Sequence, residues 1–287
     1  MKAPPFAYAR AHSAEEALEL LAEGGEDAKL LAGGQSLLPM LAYRLARPTH
    51  LVDVGGAGVL SEREAGDGEI VLDGLVRHAE LERMALAGSH RLLGEAAACI
   101  GHLPIRVRGT LGGSLAHADP AAELPLAALA LDASMVVRSA SGERLVPAES
   151  FFHGPFTTAV GPDELLAAIV VPRQPTGAAA AFAEFAVRAG DFALVAVAVV
   201  VAAGEGRVGH VRIVLGGVDA TPFRASAAER LLDGEPPSAE AIAAASEAAA
   251  AECDPGTDQH ASATYRRELV AVLVRRCLER ACAGGQG

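Results

Sequence analysis

Two pairs of adjacent glycines are the residues of this sequence whose type and spacing point most directly to chemistry. One pair lies in Gly33-Gly34-Gln35-Ser36 and the other in Thr110-Leu111-Gly112-Gly113-Ser114. Glycine permits positive φ and a close approach of the backbone to a ligand. Successive backbone N–H groups in such turns form a concave anion site, and the flanking hydroxyls add donors. The two segments therefore predict a site for an anionic group such as a pyrophosphate.

The elements around the glycine pairs are expected to complete this site, with each pair in a loop beside a strand–helix junction. A buried strand at 28–31 precedes the first pair, and a helix that begins near Leu37 adds the positive end of its dipole. Neither segment contains lysine or arginine, although Arg106 and Arg108 come just before the second. The run Gly56-Ala57-Gly58 lacks the third glycine and the helix of a dinucleotide fingerprint. We therefore expect amides and hydroxyls to hold the anion.

Turn residues place a domain boundary in the linker 172–177, which contains two prolines and a glycine. The first domain is predicted to span 1–177, with subdomains of about 1–55 and 56–177. Its predicted strands are 6–10, 28–31, 51–54, 70–75, 134–138, 144–147 and 165–171, and its predicted helices are 14–23, 37–45, 79–87, 92–100 and 121–131.

The second predicted domain, 178–287, has strands first and helices second, which indicates an α+β layer. Its predicted strands are 181–188, 193–203 and 208–216, and its predicted helices are 224–232, 239–251 and 264–282. We expect the arginines of the last helix to form a solvated face, with contact to an acidic partner subunit as the alternative. These arginines are Arg266, Arg267, Arg275, Arg276 and Arg280.

Composition excludes several classes of protein. The chain has 287 residues, 51% of them hydrophobic, and a net charge of -12. This apolar content excludes a disordered chain, and the acidity argues against a nucleic-acid binder. No apolar run reaches the roughly 18–20 residues of a membrane helix, and the first residues lack a signal core, so a cytoplasmic protein is expected. The four cysteines are scattered without a CxxC pair, so we expect no metal or iron–sulfur site within the chain.

The stretches Ala32–Met40 and Thr110–Pro125 closely resemble the two FAD loops of the flavin subunit of molybdenum hydroxylases, the family of the medium subunit of aerobic carbon monoxide dehydrogenase and of the xanthine dehydrogenase flavin domain. Phe151-Phe152 and Arg188–Ala193 resemble further landmarks of that family. The resemblance covers nearly the whole chain. It implies an α+β protein in which a two-lobed α/β FAD-binding domain of the PCMH type precedes a C-terminal α+β domain with a small antiparallel sheet and helices.

The resemblance also implies a set of FAD-binding residues. His117, Asp119 and Glu123 are expected near the adenosine or the isoalloxazine, with Ile169 lining the ring and Phe192 close to it. Each polar residue has a structural alternative: a hydrogen bond for His117, a cap of a helix starting at 121 for Asp119, and the helix dipole for Glu123. The residues expected to cradle the pyrophosphate are Ala32, Gly33, Gly34, Gln35, Ser36, Leu37, Thr110, Leu111, Gly112, Gly113 and Ser114.

Two positions bear on how the cofactor is held and used. Glu184 stands where several relatives have a lysine, which leaves the electron acceptor open. Some distant flavoproteins of this fold attach FAD through a histidine of the first loop. Gln35 has no nucleophilic nitrogen for such a bond. We therefore predict that the FAD is non-covalent.

The implied function is electron transfer by an FAD-carrying subunit within a heterohexamer. In such a complex a large subunit holds the molybdenum cofactor, and a small subunit carries two 2Fe–2S clusters. The chain itself shows no convincing nucleophile, acid–base dyad or metal cluster, so the chemistry is expected to be the flavin's. The alternatives are an autonomous FAD-dependent oxidoreductase with its own small substrate, and an assembly module that has lost its cofactor.

Overall fold

The computed structural model describes residues 2–61 and 63–284. Met1, Glu62 and 285–287, which the predicted domains include, lie outside the described residues. The chain begins with a three-stranded parallel sheet in the order β1-β3-β2. Ser13 caps the first helix, because its hydroxyl accepts a hydrogen bond from the Glu16 amide at 3.1 Å. The elements are β1 (Ala7–Arg10), α1 (Ala14–Gly24), β2 (Ala28–Leu31), α2 (Leu37–Ala42) and β3 (His50–Asp53).

A four-stranded antiparallel sheet follows, in the order β4-β9-β5-β6. One of its two central strands, Leu165–Val171, is buried at every position, and its bounds are those predicted from the sequence. The strands are β4 (Ile70–Asp73), β5 (Ser134–Ser139), β6 (Gly142–Pro147), the short pair β7 (Phe152–Gly154) and β8 (Thr157–Thr158), and β9 (Leu165–Val171).

Five helices lie between β4 and β5. They are α3 (His78–Leu81), α4 (Leu92–Cys99), α5 (Leu103–Arg106), α6 (Leu111–His117) and α7 (Glu123–Ala130). The helix predicted at 79–87 is wrong in extent. The chain leaves the helix at Glu82, whose carboxylate accepts a hydrogen bond from Arg106 Nε at 3.0 Å, and continues in turns to Gly88 with φ +56°. Every residue of α7 is buried, so this helix lies inside the molecule.

The last part of the chain is an antiparallel sheet in the order β10-β11-β12-β13, followed by three helices. The strands are β10 (Ala179–Phe185), β11 (Val195–Gly204), β12 (Arg207–Gly216) and β13 (Phe223–Arg224), and the helices are α8 (Ser226–Leu232), α9 (Ala239–Glu252) and α10 (Ala263–Gly284). This order of strands and helices confirms the α+β class. Among the described helices, none combines the length and apolar character that crossing a membrane requires.

Strand β11 joins two hydrophobic cores because its side chains alternate between the two faces of the sheet. Ala196, Ala198 and Val200 belong to the core that contains α4, α7 and β9. The intervening Val197 and Val199 belong to the core formed with α9 and α10. The uninterrupted apolar run of this strand follows from burial on both faces.

Arg266 corrects the expectation of a solvated arginine face on the last helix. It is 7% exposed, and its guanidinium donates to the Leu194 and Gly217 carbonyls and, at 2.8 Å, to the Asp258 carboxylate. The arginine therefore ties α10 to the ends of β11 and β12. Arg275 and Arg276, about two and a half turns further along the helix, are exposed as expected.

Candidate functional site

The two glycine segments lie directly against each other at Gly33. A Cβ atom added to Gly33 would lie 2.3 Å from the Arg108 carbonyl oxygen and 2.7 Å from the Gly109 Cα. Only glycine permits this approach, because these distances are far below van der Waals contact. A Cβ on Gly113 would lie 3.9 Å from the Cβ of Ala32. The two segments thus form a seam between the parallel sheet and the α3–α6 region.

The first segment presents unpaired backbone amides at this seam. Gly34 has φ +73°, as the glycine pair predicts. The amides of Gly33, Gly34, Gln35 and Ser36 donate no hydrogen bond within residues 2–61 and 63–284. The Gln35 side chain turns inward, and its Nε2 donates to the Gly33 carbonyl at 3.0 Å. This loop is held by a hydrogen bond from its own side chain and presents consecutive free N–H groups. It is therefore suited to binding an anion.

The second segment is not the loop that the sequence predicts. Gly112, Gly113 and Ser114 lie in the first turns of α6, which Thr110 caps by accepting from the Gly113 amide at 3.1 Å. The Leu111 and Gly112 amides donate to the carbonyls of Val76 and Gly74, and the Ser114 amide donates to the Thr110 carbonyl. Because all four amides have protein acceptors, the expected amide nest is wrong for this segment. Its half-buried Ser114 hydroxyl remains as a donor.

Arg77 and His78 support the second segment, and sequence reasoning missed both. His78 Nε2 lies 2.8 Å from the Thr110 carbonyl oxygen, and the His78 amide donates to the Gly109 carbonyl at 3.0 Å. Arg77 Nη1 donates to the Arg108 carbonyl. Burial lowers the pKa of His78, and the charges of Arg77 and Arg106 act in the same direction. His78 is therefore a neutral residue whose Nε2–H holds Thr110 in place.

Of the two arginines before the second segment, one is structural. Arg106 donates to the Glu82 carboxylate at 3.0 Å and to the carbonyls of Ile100 and Gly101. Arg108 is exposed, and its guanidinium makes no hydrogen bond in the described part of the chain. Arg108 is thus the cation next to the seam that remains available to an anion.

His117 and Asp119 shape the chain after α6. The ring of His117 lies 5.0 Å from that of Phe156, and burial lowers the pKa of His117 against the opposing charge of Asp119. The Asp119 carboxylate accepts from the Ala121 amide at 2.9 Å. Helix α7 begins only at Glu123, so the expected cap of a helix at 121 is wrong, and Asp119 stabilises a turn instead.

Glu123 is a buried and Glu184 a half-buried carboxyl group, and both have raised pKa values. Glu123 is 8% exposed, and burial, followed by the charge of Glu184, raises its pKa to about 8. Burial raises the pKa of Glu184 to about 7. The Oε2 atom of Glu184 is buried and has no hydrogen-bond partner among the residues that the structure describes. The position where the resemblance leads one to expect a cation is therefore occupied by a partly protonated acid.

The structure places the remaining predicted site residues differently. Phe192 is 71% exposed, in the loop between β10 and β11. That loop packs against the ring of His102, directly before α5. The contact is so close that a Cβ added to Gly190, which has φ +85°, would clash with the ring. Leu37 is half-buried at the start of α2. Ile169 is fully buried in the core, so its side chain is not at an open surface.

Comparison with known proteins agrees with this arrangement. The family described as the FAD binding domain in molybdopterin dehydrogenase matches residues 4–174, and the CO dehydrogenase flavoprotein C-terminal domain matches residues 180–281. Subunit alpha of the 6-hydroxypseudooxynicotine dehydrogenase complex of Paenarthrobacter nicotinovorans is 43% identical over 98% of this chain and 96% of its own length. The carbon monoxide dehydrogenase medium chain of Hydrogenophaga pseudoflava is 36% identical over 98% of both chains.

Solved structures show the same likeness over the whole chain. A carbon monoxide dehydrogenase from Hydrogenophaga pseudoflava, which lacks the Mo-pyranopterin moiety of its molybdenum cofactor, contains a chain with a TM-score of 0.94 and 38% identity, with 99% of both chains covered. Quinoline 2-oxidoreductase from Pseudomonas putida 86 gives 0.92 and 34%, with both chains fully covered. Fold and site thus define an FAD-binding oxidoreductase subunit. The chain belongs to the family of FAD-binding medium subunits of molybdenum hydroxylases.

Proposed function

We propose that this chain carries electrons through FAD within a complex that also contains a large molybdenum-cofactor subunit and a small subunit with two 2Fe–2S clusters. The single observation that carries the proposal is the seam at Gly33, where four consecutive amides lack acceptors in the described chain. Family membership over the full length supports the rest. The relatives act within named dehydrogenase and hydroxylase complexes.

The residues present fit FAD. The amides of Gly33–Ser36 would hold the pyrophosphate, and the hydroxyls of Ser36 and Ser114 would add donors from the two sides of the seam. Arg108 contributes positive charge beside it. When bound, FAD supplies one- and two-electron chemistry, while the protein supplies binding, orientation and electrostatics. The wider predicted set, from Ala32 to Leu37 and from Thr110 to Ser114, forms the walls of this cradle.

The residues near the ring have separate roles in this proposal. Glu123 faces the flavin from the first turn of α7, and neutral His117 and exposed Phe192 border the adenosine or ring side. Asp119 holds the turn between them. Ile169 supports the ring site from the core without an exposed side chain. The FAD is held non-covalently, because Gln35 uses its amide nitrogen to brace the Gly33 carbonyl.

We also propose that the FAD-binding domain ends near residue 177 and that the C-terminal domain occupies 178–287, in a cytoplasmic protein. The gap between the two family matches, 174 to 180, supports this boundary. Among the described residues, no group of three or more His, Cys, Asp or Glu side chains is placed to hold a metal ion.

Purification of the complex from its native source tests the proposal. We expect the chain to copurify with two further polypeptides, together with molybdenum, iron and acid-labile sulfide, and to show a flavin spectrum. Acid precipitation should leave the yellow colour in the supernatant. A chain that purifies alone and whose flavin is reduced by a small substrate would instead show an autonomous oxidoreductase. Colour retained in the precipitate would contradict non-covalent binding.

A further inference from the structure

We propose that Phe156, in the turn between β7 and β8, is a further residue of the FAD site and that its ring stacks on a flat ring of the cofactor. The inference rests on the proposed function for the presence of FAD in the cradle. Phe156 is 56% exposed, and its ring lies 5.0 Å from the ring of His117 at an angle of 43°. Because His117 ends α6, whose first turn borders the seam, one short helix joins Phe156 to the cradle.

The backbone conformation of Phe156 is one that ordinarily takes glycine. Phe156 has φ +56°, and it follows Pro155 in a turn that pairs Gly154 with Thr157. A turn with proline at its first central position and a positive φ at the second usually has glycine at the second. A bulky side chain in this conformation is strained, and strained residues of this kind cluster at ligand sites. The strain therefore indicates a use for the phenyl ring.

The end of α6 fixes the position of Phe156. The Phe156 amide donates a hydrogen bond to the Ala118 carbonyl at 3.0 Å. Ala118 is itself left-handed, with φ +50°, and is the C-cap of α6. Burial lowers the pKa of His117, so the imidazole against the phenyl ring is neutral. Phe156 and His117 thus form an uncharged aromatic pair that the backbone holds at a fixed place.

The face of α6 between the seam and this pair is open and carries little bulk. Gly113 and His117 are four residues apart, so they lie on one face and about 6 Å apart along the helix axis. Gly113 and Ala116 are exposed, whereas both leucines of α6 are buried. At Gly113 this face meets the first segment, since a Cβ there would lie 3.9 Å from the Ala32 Cβ. One extended ligand can therefore reach both the seam and Phe156.

A flat aromatic ring is the group that suits this end of the helix. Aromatic rings pair with their centroids about 4.5–7 Å apart, and His117 leaves more than half of Phe156 open. FAD carries a flat ring on each side of its pyrophosphate, the isoalloxazine on one side and the adenine on the other. Phe156 would stack on one of the two and so orient the cofactor along α6.

Replacement of Phe156 by glycine separates binding from backbone strain. Phe156→Gly relieves the positive φ but removes the ring, so the affinity for FAD should fall about tenfold in a flavin fluorescence titration. Phe156→Leu keeps an apolar side chain without a flat ring and should show a similar loss, whereas Phe156→Tyr should bind normally. Glu205→Gly is the matched control, because Glu205 is exposed with φ +53° in the turn between β11 and β12. Its affinity for FAD should be unchanged.

ADP, which lacks the isoalloxazine, identifies the stacked ring. If Phe156→Gly weakens ADP binding as much as FAD binding, the adenine stacks on Phe156. If ADP binding is unchanged while FAD binding falls, the isoalloxazine stacks there. Normal FAD affinity in Phe156→Gly or Phe156→Leu, in samples that circular dichroism shows to be folded, overturns the proposal, as does an equal loss in Phe156→Tyr. An unaltered chain that binds no FAD would refute the proposed function instead.

Discussion

His78 Nε2 lies 2.8 Å from the carbonyl oxygen of Thr110, the residue that caps α6. This bond joins the start of α3 to the second glycine segment across 32 residues of chain. Its donor is an imidazole whose Nδ1 has no partner and lies among arginines. The second glycine segment is therefore held by a buried imidazole whose burial, and not this hydrogen bond, opposes protonation.

Acidification is expected to weaken both the fold and FAD binding. The pKa of His78 is lowered from 6.5 in the folded protein, so the unfolded chain binds the proton first. The titration of His78 leaves stability unchanged above about pH 6.5 and lowers it as the pH drops below that value. Thermal unfolding and FAD fluorescence quenching between about pH 5.5 and pH 7.5 measure this. His78→Gln should flatten the profile, and exposed His12→Gln should leave it unchanged.

Gly33→Ala is expected to abolish FAD binding. Its Cβ would lie 2.3 Å from the Arg108 carbonyl oxygen, so the two segments must separate. Overpacking of this kind costs about 1–3 kcal/mol of stability. Gly209→Ala is the matched control, because a Cβ there meets nothing within 4 Å. Equilibrium dialysis with FAD and thermal unfolding give both readouts, and normal affinity in Gly33→Ala would contradict the role of the seam.

Thr110→Val is expected to weaken the start of α6. The Thr110 hydroxyl accepts the Gly113 amide at 3.1 Å, and valine keeps the shape without the acceptor. Loss of such a cap costs about 1 kcal/mol. Thr110→Ser, which keeps the oxygen, should retain most of the stability in denaturant titration. A greater loss in Thr110→Ser than in Thr110→Val would show that the methyl group, not the cap, matters.

Alkaline conditions are expected to destabilise the chain through its buried acids. The pKa values of Glu123 and Glu184 rise from 4.5 to about 8 and about 7, so the folded state binds the extra protons. Stability is highest below the unfolded value and is lost as the pH rises through about 7–8. Replacing both residues by glutamine should raise the melting temperature at pH 9 more than at pH 6, by several degrees. An equal effect at both pH values would contradict the titration.

How much of this site the sequence reveals depends on whether the contacts are local. Strand β9 has the predicted bounds because its seven apolar residues lie between turn residues. The left-handed Gly34 follows from its residue type. The Gly112-Gly113 pair led to the wrong prediction of a loop instead of a helix, because glycine is a poor helix former. Their helix is held by carbonyls of Val76 and Gly74, and such distant acceptors leave no mark in the local pattern.

The raised pKa values of Glu123 and Glu184 were hidden for a related reason. Glu123 lies in a helix start, where an acid is ordinary. Glu184 is noticeable only as a departure from a resemblance. The burial around them arises when α7 packs on β11 and β12 and α4 packs on β10, which depends on contacts far apart in sequence. His78 likewise gave no signal, since its partner Thr110 is 32 residues away.

The two-faced strand β11 has a consequence for any attempt to divide the chain. A fragment that begins near residue 178 would keep the valine face covered by α9 and α10 but would expose Ala196, Ala198 and Val200 to water. The complementary fragment contains α7, which is buried at every position, and would expose this helix to water. Each half would present an open apolar surface prone to self-association. The halves are therefore expected to fold and turn over as one unit, and a proteolytic cut between them would inactivate both.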